Sequence, residues 1–278
     1  MARPSSDSVS SSQLLRRDFG EKISGQTRSL VSISGPIEAR LASESPSQAT
    51  LDIHIRPLTT VPGTDAKALA ATLKSLLSPS LILSYHPRTL IQVVGQALCG
   101  NESGSGLGSV GRGWNASLVA SLINATSAAL ISAGSIPMKG VVCAVAVGRL
   151  SSHISGASRL VLDPSETELG YLAGGGCFAF LFSTVLLEES SQADSNSPAC
   201  LLIWTSYSSS ASSFDESELF AAKALAEVGA RQVWHTLKDS VPTLDSSGAT
   251  QTHDRYNDEE RTGASRTKDE VDDAKMEI

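Results

Sequence analysis

Apolar and polar positions alternate along the chain with two periods, and each period predicts its own kind of element. Leu51, Ile53 and Ile55 alternate with Asp52, His54 and Arg56, the spacing of a strand with one dry face and one wet face. Short β-branched runs at 29–33, 50–55 and 91–98, bounded by Gly, Pro or charge, predict strands. Positions 141–147 and 178–187 are apolar almost throughout, which predicts central strands covered on both sides. The polar interruption at 188–198 predicts a loop joining two strands of a hairpin.

The helical period marks three further segments. Over 65–77 it aligns Leu69, Leu73, Leu76 and Leu77, with a stop near Pro79. A second helix is predicted from an Asn115 cap to a Gly134 terminator, with Leu118, Leu122, Ala125, Ala129 and Leu130 aligned and many small side chains for close approach to a sheet. The third opens at Ser213-Phe214-Asp215-Glu216, read as a capping box, and runs to about Lys238. Strands in runs with helices between them predict an α+β fold, a mixed β-sheet packed with helices in a single domain.

The ends differ from this body. Residues 1–13 are Ser-rich and predict a disordered arm, and 241–278 predict a solvated, disordered acidic tail, leaving 14–240 as the domain. Within it, 100–113 carries glycines at 100, 104, 106, 108, 111 and 113 and predicts an inserted mobile loop.

Of the net charge of −7, the stretch 241–278 supplies −5 (ten acids, five bases), so 1–240 hold 19 acids against 17 bases. A protein that held nucleic acid by itself would carry a basic excess, because phosphate neutralisation supplies most of that affinity. Cys99, Cys143, Cys177 and Cys200 stand singly, without the spacing of a zinc site or a redox pair, and predict buried thiols. No secretory pattern opens the chain, which predicts an intracellular protein, and no apolar run was expected to reach the ~20 residues that cross a bilayer. His54, His86, His153 and His235 are scattered without a close Asp or Cys partner in sequence, which argues against a hydrolase triad or metal cluster.

Specific residues then bring a family into view. Gly25-Gln26-Thr27, followed by Leu30-Val31-Ser32-Ile33-Ser34-Gly35-Pro36-Ile37-Glu38, resembles the opening hairpin of the RNase PH family. Leu51 to Pro57, Pro62-Gly63 and His86-Pro87-Arg88-Thr89 with Ile91 and Val93 look like the eukaryotic exosome ring subunits of that family. The likeness continues through Ala133-Gly134-Ser135-Ile136-Pro137-Met138 and Val161-Leu162-Asp163-Pro164, covering 14–240. It implies the RNase PH fold, which is ribosomal protein S5 domain 2-like, and a place in a six-membered ring around a channel for single-stranded RNA. Cap subunits on one face and a separate hydrolytic nuclease on the other are implied as partners, in nucleus, nucleolus and cytoplasm. One departure is the shorter spacing from Arg16-Arg17-Asp18-Phe19-Gly20 to Gly25.

Phosphorolysis needs a bound inorganic phosphate and carboxylates that hold a metal or move a proton. Active members of the family resemble one another in a Gly-Thr-Arg turn before a helix N-terminus and in two aspartates six positions apart. Here the turn reads Gly111-Arg112-Gly113-Trp114-Asn115, and only Asp163 fits the pair, because Leu169 stands six positions on and neither Glu166 nor Glu168 restores the spacing. The resemblance therefore implies a subunit without catalytic residue, metal or cofactor, and Asp163 before Pro164 reads as a turn. Candidate RNA contacts are Arg88, Arg112 and Arg56, each weighed against a surface ion pair or a solvated arginine. Two rivals stand beside this reading. One is an active phosphate-dependent 3′–5′ exoribonuclease working as a homo-oligomer, and the other is an S5-type binding module outside any ring.

Overall fold

The computed structural model describes residues 27–58, 61–98, 109–110, 114–150, 159–164, 168, 172–183, 198–209 and 215–266, with backbone alone at 109–110, 159, 209 and 242–266. In chain order the elements are β1 (Ser29–Glu38), β2 (Thr50–Arg56), α1 (Thr64–Leu77), β3 (Thr89–Ala97), β4 (Ser109–Val110), β5 (Trp114–Asn115), α2 (Ala116–Ala133), β6 (Val141–Leu150), β7 (Arg159–Leu162), β8 (Leu172–Ser183), β9 (Ala199–Ser209) and α3 (Glu216–Arg266). Short 3₁₀ turns at Ser78–Ser80 and Leu83–Tyr85 lie between α1 and β3. The chain divides into two units, Met1–Thr236 and Leu237–Ile278.

The first unit holds two main sheets. One has the order β1-β3-β2, with β1 antiparallel and β2 parallel to β3. A parallel pair needs a crossover, and α1 supplies it. The other has the order β7-β6-β8-β9 and is antiparallel throughout. Leu69, Leu73, Leu76 and Leu77 of α1 share one buried cluster with Leu51, Ile53, Ile55, Ile91 and Val93 of the first sheet, and each such leucine contributes about 2 kcal/mol by burial. The same cluster takes in Leu118, Leu122 and Ile123 of α2 and Val142, Ala144, Ala146, Cys177, Ala179 and Leu181 of the second sheet, so α2 lies between the sheets. On the far face of the second sheet the start of α3 packs, with Phe182 and Trp234 stacked at 6.2 Å. The layers are therefore sheet, helices, sheet, helix.

Local chemistry sets the ends of α2 where the sequence predicts. Asn115 is extended and its Oδ1 accepts from Ser117 N at 3.0 Å, while Gly134 adopts the left-handed conformation and its N donates to Leu130 O. By length and apolarity α2 would pass for a membrane span, contrary to the expectation that no such run exists; 67% of it is buried inside the fold, as befits a core helix. Its polar side chains have a specific task. Strand β7 pairs with β6 only over Val147–Leu150, so the first half of β6 has a bare edge inside the protein. Asn124 closes it like a short strand: Ala144 N donates to its Oδ1 at 2.7 Å and its Nδ2 donates to Ala144 O at 2.8 Å. Ser127 Oγ donates to Val142 O at 2.5 Å. Replacing Asn124 by alanine strands two buried main-chain groups, and the expected loss is about 2–4 kcal/mol in denaturant unfolding. A loss below about 0.5 kcal/mol would show that water reaches this edge.

Several expectations change. The Gly35-Pro36-Ile37-Glu38 segment of the resembled hairpin lies inside β1, where the register against β3 shifts between Ser34 and Ile37 at the cis Gly35-Pro36 bond. Strand β1 pairs with β3, and any hairpin partner upstream of Thr27 lies outside the described residues. Strand β8 starts at Leu172, ahead of the expected 178, because the Gly174–Gly176 run belongs to the ladder rather than ending it. The expected β8–β9 hairpin is present, its loop lying outside the described residues. Part of the predicted glycine-rich insertion forms β4, which pairs with β5. Helix α3 begins at Glu216, with Asp215 Oδ1 accepting from Glu216 N at 2.8 Å; Ser213 lies outside the described residues.

The second unit is the continuation of α3 to Arg266, past the expected end near Lys238 and into the stretch predicted as a disordered tail from 241. A helix already nucleated propagates one bond per residue without a new nucleation cost.

Candidate functional site

The start of α2 is where an anion-binding niche would lie in a phosphorolytic relative of this fold. Asn115 and Ser117 are buried there, and Ser117 Oγ donates to Pro164 O at 3.4 Å. Asp163, ending β7 in the left-handed region at φ 47°, donates its N–H to Ala146 O at 2.7 Å. The fold thus brings Asp163-Pro164 to the first turn of α2, across 47 residues of sequence. One amide of that turn is taken by its own chain. The amide of Ser117, which an anion would use, is held by the Asn115 side chain, and buried Trp114 precedes it. The turn reading of Asp163 fits this geometry. Arg112, Glu166 and Leu169 lie outside the described residues, and among the described residues no group of three or more His, Cys, Asp or Glu gathers as a metal site.

Arg56 and Arg88 occupy opposite ends of the first sheet. Thr50 faces Leu90 and Arg56 faces Gln96, so the two arginines are separated by the eight positions from 88 to 96, about 26 Å at roughly 3.3 Å per residue. Arg56 is exposed at the end nearer the α2 N-terminus, where Ser29, paired with Ala97, meets Ser121 Oγ at 2.7 Å. Arg88 lies at the other end, where Ser135 just beyond α2 donates to Gly35 O at 3.0 Å. Its Nε is 3.3 Å from Glu44 Oε1 with the side chain 71% exposed, an ion pair worth at most about 1 kcal/mol. His54 does have an acidic partner, contrary to the sequence reading: residues two apart share a strand face, and its Nε2 is 3.0 Å from Asp52 Oδ2.

The most buried ion pair among the described residues was not anticipated. Arg149, 4% exposed at the end of β6, places Nη1 3.0 Å from Glu218 Oε2 of α3, and Tyr207 of β9 donates its hydroxyl to Glu218 Oε1 at 2.7 Å. Burial first, then the bond to Glu218 and its charge, hold the Tyr207 phenol well above its ordinary range, with Arg149 acting in the opposite sense. A signal was available in the sequence: an arginine inside the apolar run of β6 must find a carboxylate or expose itself. The cluster ties together β6, β9 and α3, which makes it a tie that holds the fold.

Comparison with known proteins agrees with this geometry. Residues 23–135 match the model of the 3′ exoribonuclease family, domain 1, named RNase_PH. The chain is similar to the exosome complex component RRP46 of Saccharomyces cerevisiae, 30% identical over 149 residues, covering 54% of this chain and 61% of that protein. It is similar to exosome complex component rrp46 of Schizosaccharomyces pombe, 29% identical over 121 residues (44% and 47%), and to the exosome complex exonuclease RRP46 homolog of Oryza sativa, 30% identical over 144 residues (52% of each). The chain thus spans between about half and three-fifths of the length of these relatives. The crystal structure of rice Rrp46 has a similar fold, with a TM-score of 0.58 at 22% identity over 78% of this chain and 84% of that one. A mixed first sheet with its crossover helix, a central α2 and an antiparallel second sheet give the chain the fold of rice Rrp46, and its residues 23–135 are similar to domain 1 of the RNase PH family.

Proposed function

We propose that this chain is a non-catalytic, RNase PH-like subunit of the RNA exosome core ring, assembling with other RNase PH-like subunits and cap subunits around a channel for single-stranded RNA. The observation that carries the non-catalytic part is the occupied first turn of α2, where Asn115 takes the amide a phosphate would need. The leucine at 169, in place of a second aspartate, points the same way. The ring assignment is supported by the exosome names of the yeast and rice relatives. A near-neutral body fits a ring in which RNA is held by charges pooled over several subunits, with Arg88, Arg112 and Arg56 as this chain's share and a separate nuclease performing hydrolysis. Residence in nucleus, nucleolus and cytoplasm belongs to the same reading.

A tagged full chain is expected to co-purify with stoichiometric RNase PH-like and cap subunits. Given end-labelled RNA, phosphate and magnesium, the purified chain is expected to release no nucleoside diphosphate above background. Release of diphosphates would establish instead the second reading, a phosphate-dependent 3′–5′ exoribonuclease, which the word exonuclease in the rice relative's name favours. Arg112 would then hold phosphate and Asp163 would serve the leaving ribose oxygen. A chain that stays a monomer in the presence of the other subunits would remove the ring.

A further inference from the structure

Three serines of the chain stand before a proline: Ser45, Ser78 and Ser197. Ser197 lies outside the described residues. The other two share a dipeptide, and the fold treats them in opposite ways. Ser78 closes α1 in the helical conformation, at φ −51° and ψ −43°, and its Oγ donates to Lys74 O at 2.6 Å. Ser45 stands on the connection from β1 to β2, outside any helix or strand. Among the described residues its Oγ makes no hydrogen bond. Pro46, Ser47 and Gln48 after it are exposed, as are Leu41, Ala42 and Ser43 before it. The residue before a proline is driven toward extended backbone, and the proline presents no N–H that a binding cleft would have to satisfy. A protein kinase takes its substrate as an extended segment with an unengaged hydroxyl. Ser45 meets that need as it stands, whereas Ser78 would first have to leave its helix.

The surroundings of Ser45 supply a second observation. Arg88, held at φ 62°, donates its N–H to Ser45 O at 3.0 Å, and its Nε is 3.3 Å from Glu44 Oε1. The backbone of Ser45 and the side chain just before it are thus both in contact with one exposed arginine. A phosphoserine carries about −1.5 to −2 charge at pH 7 and three acceptor oxygens, which a guanidinium binds with two parallel donors. An exposed arginine–glutamate pair is weak enough to give way to such a group.

We propose that Ser45 is the acceptor of a proline-directed protein kinase and that its phosphate is held by Arg88 in place of Glu44. In the transfer, Ser45 Oγ attacks the γ-phosphorus of a magnesium-bound nucleoside triphosphate. The new O–P bond forms as the bond from that phosphorus to the β–γ bridging oxygen breaks; the diphosphate leaves, and the hydroxyl proton passes to a carboxylate of the kinase. The product adds a charge-assisted clasp between 39–49 and 83–88, beside the existing bond from Ala49 N to Leu83 O at 2.8 Å. It goes beyond the ring reading and does not depend on it.

The test is phosphate incorporation into the full chain from magnesium ATP, by a mitogen-activated kinase and a cyclin-dependent kinase in separate reactions, with the sites located by mass spectrometry. Phosphate is expected at Ser45 and not at Ser78. It is expected to vanish in Ser45→Ala and to fall by about tenfold in Pro46→Ala, the scale on which one pocket contact discriminates substrates. Both variants are expected to melt with the parent, because Ser45 Oγ is unbonded and Pro46 is exposed. No phosphate at Ser45 with either kinase, or as much at Ser78 as at Ser45, overturns the proposal. The part of Arg88 is read separately, by phosphorus NMR titration of the phosphorylated chain. The second ionisation of the phosphoserine, ordinarily near pH 6, is expected about half a unit lower than in the Arg88→Ala phosphoprotein, as the charge of an exposed partner dictates. Identical midpoints would remove Arg88 from the site. Failure of the chain to co-purify with ring subunits would alter neither readout, so the two readings fall separately.

Discussion

Gly176→Ala, at the tightest site for an added methyl group among the described glycines, is expected to abolish folding or to cost more than about 4 kcal/mol. Gly176 lies in β8, between β6 and β9, where both neighbours are fixed by ladder bonds. A Cβ there would run into Ser206 O and stand 2.7 Å from Tyr207 Cα. Both are main-chain atoms of β9, so they cannot step aside without breaking the pairing of Gly176 with Tyr207 and Cys177 with Ser206. Gly63→Ala is the control, since nothing lies within 4 Å of a Cβ at that position. Soluble yield and thermal unfolding decide the matter. A Gly176→Ala protein that melts within about 2 °C of the parent would mean that β9 does not lie this close to β8.

Glu218→Ala is expected to be the next most damaging change. It leaves the Arg149 guanidinium buried without its carboxylate and removes the acceptor of the Tyr207 hydroxyl. Breaking one side of a buried ion pair costs about 3–5 kcal/mol, which lowers the melting temperature by roughly 6–20 °C for a chain of this size. Replacing both partners, Arg149→Met with Glu218→Leu, is expected to recover most of that loss, because the dominant penalty is the stranded charge and not the missing attraction. Additive losses in the double variant would sink this account. The same cluster sets an alkaline limit. The folded state keeps the Tyr207 proton above its ordinary range, whereas the unfolded chain releases it near pH 10. Above that pH the unfolded state binds fewer protons, so stability is present in full below about pH 10 and falls as pH rises toward the folded value. Tyr207→Phe is expected to flatten that fall in denaturant melts between pH 9 and 11.

The elements legible in the sequence are those whose causes are local. Alternation in 51–56 survives as the buried Leu51, Ile53 and Ile55 against the exposed His54 and Arg56. The α1 leucines fall on one buried face, and Asn115 and Gly134 cap α2 because each acts on amides or carbonyls within four residues. The strand expected from 178 begins at Leu172, because glycine in isolation reads as a breaker and only the approach of β9 explains the Gly174–Gly176 run in the ladder. Helix α3 was read too short, since periodicity marks where a helix packs and not where it stops.

The site divides in the same way. The family likeness follows from motifs that are each a few residues long, and that likeness is what implies the lack of a second aspartate and of the Thr-Arg pair. Placement of Arg56 and Arg88 at opposite ends of a sheet is a matter of strand register, which no run of neighbours encodes. The union of Asp163-Pro164 with the start of α2, the bond from Asn124 to Ala144 and the pairing of Arg149 with Glu218 across 69 residues are likewise products of packing. A sequence by itself determines what each segment can bury, cap or ionise, because those are properties of side chains and their nearest backbone. Which distant groups then meet is decided only when α2 is enclosed by two sheets, because every buried donor, acceptor and charge must find its partner among whatever the fold has brought within reach.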